Sequence, residues 1–320
     1  MPSGKVEYPV LSPDLQVAFY YILGSLRKEC LAEALRAAVS ELAVADVDRE
    51  LGLYVPPAVL QKVASFGLRG EVVFPVPVVL RAKPSLLGYY RLLFGLSQKE
   101  FYSKGPFGRF KILEESGSNS ERTDQQLEAL CRSLIQTAVR LVDGLDDISL
   151  PVVHELQLLT LGPQLRGAQN TRIGQDATKA VFALIEDIAG PFIKEATKRT
   201  LVIANSAGRT VLVEFASDPD IRITEKLRTG VRPVVSVEIK GGADASNVHN
   251  RLGEAEKSHQ KARARGFFEF WTILRVDVDE VIARRESPTT SHFFRLEAIL
   301  QAASVEHRRF SDLLGACLGI

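Results

Sequence analysis

Pro219-Asp220 and the downstream Glu238-Ile239-Lys240 supply two carboxylates and an ammonium, and the segments carrying them read as strands. Val211-Leu212-Val213-Glu214-Phe215 runs into Ser217-Asp218-Pro219-Asp220. Val234-Val235-Ser236-Val237 runs into Glu238-Ile239-Lys240 and closes at Gly241-Gly242. Residues i and i+2 of a strand share a face. Glu238 and Lys240 are therefore expected to project into one cleft while Ile239 points into the core. Two carboxylates and a lysine converging on one point can hold Mg²⁺ and a scissile phosphate, so metal-dependent phosphodiester hydrolysis is the candidate chemistry.

Taken alone, Glu-x-Lys carries no weight: ordinary charged-residue usage produces about one in a chain of this size, commonly as a solvated strand edge with an ion pair. The surrounding elements add the weight. Asp176–Arg199 reads as a helix with Asp176 as N-cap, an apolar face of Val181, Leu184, Ile185 and Ile188, and a kink at Pro191. A short strand Leu201–Ala204 and a turn Ser206–Arg209 lead into the Val211 strand. After Lys240 come a polar loop Gly241–His249, a helix Asn250–Arg265 stopped by Gly266, and a strand Phe268–Val276.

Helix, three strands, helix, strand, with the acidic residue ending the second strand and Glu-x-Lys ending the third, resembles the PD-(D/E)XK nuclease core. Two further stretches are more particular. One runs from Glu238-Ile239-Lys240-Gly241-Gly242 to Ser258-His259-Gln260-Lys261-Ala262-Arg263. The other is Ser65-Phe66-Gly67-Leu68-Arg69-Gly70-Glu71-Val72-Val73-Phe74-Pro75, followed by Leu87-Gly88-Tyr89-Tyr90-Arg91-Leu92-Leu93-Phe94-Gly95. Both resemble type II restriction endonucleases of the XcyI group. The resemblance implies an α/β (α+β) fold, a central mixed sheet flanked by helices. It also implies a cytoplasmic homodimer that cuts double-stranded DNA at a palindrome, CCCGGG for the XcyI type, with a cognate DNA methyltransferase in the host that forms no stable complex with it. Asp220 and Glu238 would bind Mg²⁺ with the Ile239 carbonyl as third protein ligand, and Lys240 would serve the attacking water and the phosphate. Asp218 competes with Asp220 for its role, and the family pattern favours Asp220. Glu186, and Glu195 beside it, are read on the preceding helix, where relatives often carry another acidic group.

DNA contacts are expected in the loop and helix after Lys240. Asn247, His249, Asn250 and Arg251 could reach phosphates or base edges, and Lys257 and Lys261 suit phosphates. Arg172, read in a loop Asn170–Gly174, is an equal candidate for guanine. Asn247 and Asn250 are also ordinary turn and cap residues. The net charge of +1 is a weak footprint for a nucleic-acid binder. Local concentrations matter more than the sum, and two stand out: Lys257, Lys261, Arg263 and Arg265, and Arg222, Lys226, Arg228 and Arg232. The alternatives are another PD-(D/E)XK nuclease acting in repair or transposition, a catalytically idle DNA-binding module, or a protein using these residues as plain ion pairs.

With 320 residues and 46% hydrophobic content the chain can bury a large core. Cys30, Cys131 and Cys317 have no metal-ligand spacing and read as thiols in a reducing cytoplasm. Neither a signal peptide nor a membrane span is expected. Residues 1–165 read as a mainly helical region for dimerisation or DNA clamping, and residues 166–320 as the catalytic core with C-terminal helices. In the first part, Asp14–Leu26, Cys30–Leu42, Pro57–Ser65, Leu86–Gly95 and Asp124–Val142 carry helical spacing. Gly70–Leu80 looks like an edge strand or loop crossing, and Glu114–Ser120 like a surface loop. The tail His292–Leu314 reads as two amphipathic helical segments.

Overall fold

The computed structural model describes residues 12–242 and 244–320. The first eleven residues and Ala243, in the loop after Lys240, lie outside the described residues, as does the N-terminal stretch on which a signal peptide would be judged. The chain divides into two compact units, Met1–Gly167 and Ala168–Ile320.

All regular elements described in the first unit are helices. They are α1 (Asp14–Cys30), α2 (Ala32–Ser40), α3 (Val44–Tyr54), α4 (Pro57–Ser65), α5 (Pro77–Ala82), α6 (Leu87–Leu93), α7 (Gln98–Ser103), α8 (Lys111–Ser116), α9 (Glu121–Asp124), α10 (Leu127–Asp143) and the start of α11 (Leu150–Ala189). Local chemistry sets several starts. Pro57 occupies the first turn of α4, where its missing N–H costs nothing, and Ser97 with Glu100 closes a capping box on α7. Gly70–Leu80 is not a strand: a 3₁₀ turn, Gly70–Val72, precedes α5, and Pro77 begins that helix rather than interrupting a ladder. Glu114 is not on a surface loop. Its carboxylate is buried and accepts from Arg91 Nε and Nη2 at 2.9 and 2.7 Å, from Gln98, and from Tyr102 Oη at 2.6 Å. Burial raises the Glu114 pKa and these donors outweigh it, so the group sits below the usual carboxylate range.

The second unit is built on a seven-stranded mixed sheet in sequence order: β1 (Ile193–Ala196), β2 (Thr200–Ala204), β3 (Thr210–Phe215), β4 (Ile221–Leu227), β5 (Gly230–Lys240), β6 (Glu269–Leu274) and β7 (His292–Arg295). Strands β1 to β5 form an antiparallel meander. Strands β5, β6 and β7 are parallel, joined through α12 (Val248–Ala264) and α13 (Glu280–Glu286). The chain ends in α14 (Leu296–Leu300) and α15 (Val305–Leu318). Val213, Ile223, Val235, Val237, Ile239 and Trp271 share one apolar core with Val181 and Ile185 of α11 and Phe310 and Leu314 of α15.

Four sequence expectations change here. The helix before the sheet begins at Leu150, so Asp176 is not its N-cap and Arg172 is helical; it ends at Ala189, and Pro191 lies in the 3₁₀ turn that stops it. Glu195 consequently sits on β1. Ile221–Leu227 is an additional strand, which makes five strands before α12 and puts Asp220 immediately before β4. His292 begins β7 rather than a helix. All three cysteines are free thiols. Among the described residues no helix is long and apolar enough to cross a membrane.

Candidate active site

Strand alternation on β5 separates core from chemistry. Val235, Val237 and Ile239 belong to the apolar core, whereas Ser236, Glu238 and Lys240 face α12. Each of these polar side chains meets a polar residue of that helix. Ser236 Oγ lies 3.3 Å from His259 Nδ1, Ser258 Oγ is 2.8 Å from Glu238 Oε2, and Lys240 Nζ donates to Glu254 Oε2 at 3.2 Å. Lys240 Nζ also donates to Glu238 Oε1 at 2.9 Å.

Asp220 arrives because β4 is shorter than its partner. The β4–β5 ladder runs from Leu227↔Gly230 to Ile221↔Val237 and stops, leaving Glu238–Lys240 without a β4 neighbour. There the Asp220 carboxylate continues the ladder by accepting the Ile239 N–H at 2.7 Å. Successive residues of a strand send their backbone groups to opposite sides. The Lys240 carbonyl accepts from Arg275 N on the β6 side, so the Ile239 carbonyl lies on the Asp220 side. Two carboxylates, a carbonyl and an ammonium thus share the end of β5.

Burial, and next the Glu238 charge, push the Asp220 carboxyl up to about 6. Burial opposes the charge on Lys240, but Glu238 and Glu254 outweigh it and hold the ammonium above its ordinary pKa. Asp218 is held low by Lys261 and Ser258. The donor set fits Mg²⁺: hard oxygens, and negative charge crowded around Asp220 that a divalent cation would relieve. Among the described residues no group of three or more His, Cys, Asp or Glu could hold a metal ion as an all-protein cage. A site with two carboxylates that leaves positions to water and phosphate is the arrangement Mg²⁺ favours. Beside Asp220 opens a cleft of about 690 Å³ lined by Lys179, Phe182, Glu186, Lys198, Arg199 and Phe215 among others.

A family model for the XcyI restriction endonuclease matches residues 20–320. The chain belongs to the XcyI restriction endonuclease family. The type II restriction enzyme XcyI of Xanthomonas campestris pv. cyanopsidis is 44% identical over 314 residues, spanning 96% of this chain and 94% of its own length. The type II restriction enzyme Cfr9I of Citrobacter freundii is 42% identical over 303 residues, spanning 92% and 91%.

Within this member of the XcyI family, Asp220, Glu238, Ile239 and Lys240 come together, and Glu186 lines the same cleft as Asp220. Asp218 turns toward α12, accepting from Ser258 Oγ at 2.7 Å and Lys261 Nζ at 2.9 Å, while its carbonyl accepts from Arg265 Nη1. Several expected DNA contacts have internal partners. Asn247 bonds Asp244 and Asn250, His249 Nδ1 lies 2.6 Å from Glu286 Oε1, and Arg251 donates to the Gly242 carbonyl. Arg172 sits 3.8 Å from Asp176, one helical turn away. Lys257 is exposed on α12. Of the two cationic concentrations, Arg222 pairs with Glu214, Arg232 with Glu225, and Arg263 lies over the Phe270 ring. Sequence reasoning missed Lys179, Lys198, Arg199 and Ser258. Ser258 was legible in principle, because it falls three residues after Ala255 on the face of α12 that packs on the sheet.

Proposed function

We propose that the protein is a Mg²⁺-dependent type II restriction endonuclease that hydrolyses double-stranded DNA at a specific palindrome, CCCGGG by the family resemblance, leaving a 5′-phosphate and a 3′-hydroxyl. The single observation that carries the chemistry is the meeting of Asp220, Glu238 and Lys240 at the end of β5, in a chain of the XcyI family. The β5–α12–β6 arrangement around that point supports a PD-(D/E)XK core.

Asp220, Glu238 and the Ile239 carbonyl would hold the cation. When bound it neutralises charge growing on the phosphate and makes a water molecule more acidic. Lys240, held protonated by Glu238, donates to phosphate oxygens as negative charge accumulates and orients the attacking water. Glu254 is the second carboxylate acceptor of Lys240, at 3.2 Å. Glu186 lines the same cleft as Asp220 and would add negative charge beside the site rather than a third carboxylate ligand.

A palindromic site is read most simply by a two-fold dimer, and the helical first unit is the segment we assign to dimerisation or clamping. The enzyme would work in the cytoplasm beside a methyltransferase that protects the host site. Incubation with unmethylated plasmid or phage DNA tests the reading. Discrete fragments with Mg²⁺ and none with EDTA are expected, with fragment ends placing the cut in CCCGGG. An unchanged substrate with Mg²⁺ and with Mn²⁺ would overturn it.

A further inference from the structure

The hydroxyl of Ser258 has a position that family membership does not explain. It is one of three polar residues on α12, with Glu256 and His259, that are less than a tenth exposed. The two neighbours fix the helix. Glu256 accepts from Thr289 N, Thr289 Oγ1 and Ser287 Oγ, and His259 Nε2 lies 2.9 Å from Thr272 Oγ1. Ser258 is thereby held over the end of β5, with its Oγ 2.7 Å from Asp218 Oδ1 and 2.8 Å from Glu238 Oε2. A serine hydroxyl carries one hydrogen, so it serves two carboxylate oxygens one at a time.

The two acceptors differ in what else holds them. Asp218 has Lys261 as a charged partner, whereas among the described residues Ser258 is the donor to Glu238 Oε2, the other oxygen being taken by Lys240. We propose that Ser258 is a positioning residue for the metal-binding carboxylate. Its hydroxyl fixes the rotation of the Glu238 carboxylate, which would hold the cation, and Asp218 is the alternative hydrogen-bond acceptor for the same hydroxyl. The inference rests on the reading of Asp220 and Glu238 as metal ligands. It assigns Asp218, the rival for the ligand role, to the hydrogen-bond shell behind the ligand.

Outer-shell partners of metal ligands typically change affinity about 10- to 100-fold when removed. The test is Mn²⁺ binding to the full-length protein without DNA, followed by electron paramagnetic resonance, with Glu238→Ala as control. Ser258→Ala is expected to bind Mn²⁺ about 10-fold more weakly, and Ser258→Thr, which keeps the hydroxyl, to bind as the parent does. The Mg²⁺ concentration for half-maximal cleavage should rise in parallel, with turnover at saturating Mg²⁺ little changed. Unchanged Mn²⁺ affinity in a folded Ser258→Ala protein overturns the proposal, and so does weak binding that threonine fails to restore. If alanine prevents folding, Ser258→Cys, with a similar shape and a weak donor, is read in its place. Equal binding by the parent and Glu238→Ala would overturn the metal-ligand reading itself, an outcome distinct from failure of the serine alone.

Discussion

Lys240 and Asp220 share a site and respond to it in opposite ways. Lys240 is ion-paired to Glu238 and stays protonated, which suits the proposed role of a donor to charge developing on the phosphate. Lys240→Met should reduce turnover about 100- to 1,000-fold while leaving DNA affinity at low salt largely intact, as single-turnover cleavage and filter binding would show. Asp220 is raised to about 6 because burial and Glu238 both penalise its charge. A raised carboxyl favours the folded state below its unfolded value of 3.8, and that advantage is lost as pH rises through about 6. A divalent cation compensates only the ionised form. Mg²⁺ should therefore raise the melting temperature above pH about 6 and have little effect below it. Thermal melts with and without Mg²⁺ across that pH check the sign, and Asp220→Asn should remove the increment.

At the level of elements, the site depends on how closely α11 and α12 approach β5. Gly241 follows Lys240 where an added Cβ would stand 2.5 Å from Ala177 Cβ and 3.1 Å from the Ile173 carbonyl of α11. Gly241→Ala has nowhere to put its methyl without moving backbone. It should destabilise the protein by about 1–3 kcal/mol and lower cleavage more than a surface Gly→Ala change, measured by urea unfolding and initial rates. On the other side of the sheet His259 is fully buried between Ser236 and Thr272, with Glu256 and Lys240 the charged groups acting on it. Burial lowers its pKa from 6.5 to about 4. The folded state thus favours neutral imidazole, and stability present above 6.5 is lost as pH falls through about 4. The loss is at most ~3 kcal/mol for a shift of this size, and His259→Gln should flatten that part of the urea-midpoint profile. These elements also show what could be read from sequence. The alternation of Val237, Glu238, Ile239 and Lys240 was legible because strand period is local. Strand β4 was not: Arg222, Glu225 and Lys226 break its apolar pattern, and Glu225 is buried because Arg209, Arg232 and Asn205 reach it from elsewhere in the chain. The passage of α11 through Gly167, Asn170 and Gly174 was equally hidden, since each residue signals a loop in isolation.

For the whole molecule the question is how a chain of net charge +1 holds a polyanion. Charges already paired inside the protein contribute little, because each must give up a partner before neutralising a phosphate. Lys261 bonded to Asp218 and Arg251 bonded to Gly242 are of this kind. Lys198 and Arg199 are both exposed and line the Asp220 cleft, placed to meet the phosphates of a strand entering it. Each cation that contacts a phosphate adds about 0.9 to the slope of log affinity against log salt. The double change Lys198→Ala with Arg199→Ala should therefore make that slope shallower by about 2 and weaken binding to cognate and unrelated duplexes alike. Lys261→Ala, which leaves Asp218 with Ser258, should change the slope by less than one such increment. Titrations of duplex DNA at several salt concentrations in EDTA, where no cutting is expected, compare the three proteins directly. An unchanged slope in the double variant would move the backbone track away from the β1–β2 turn and toward exposed cations such as Lys257 on α12.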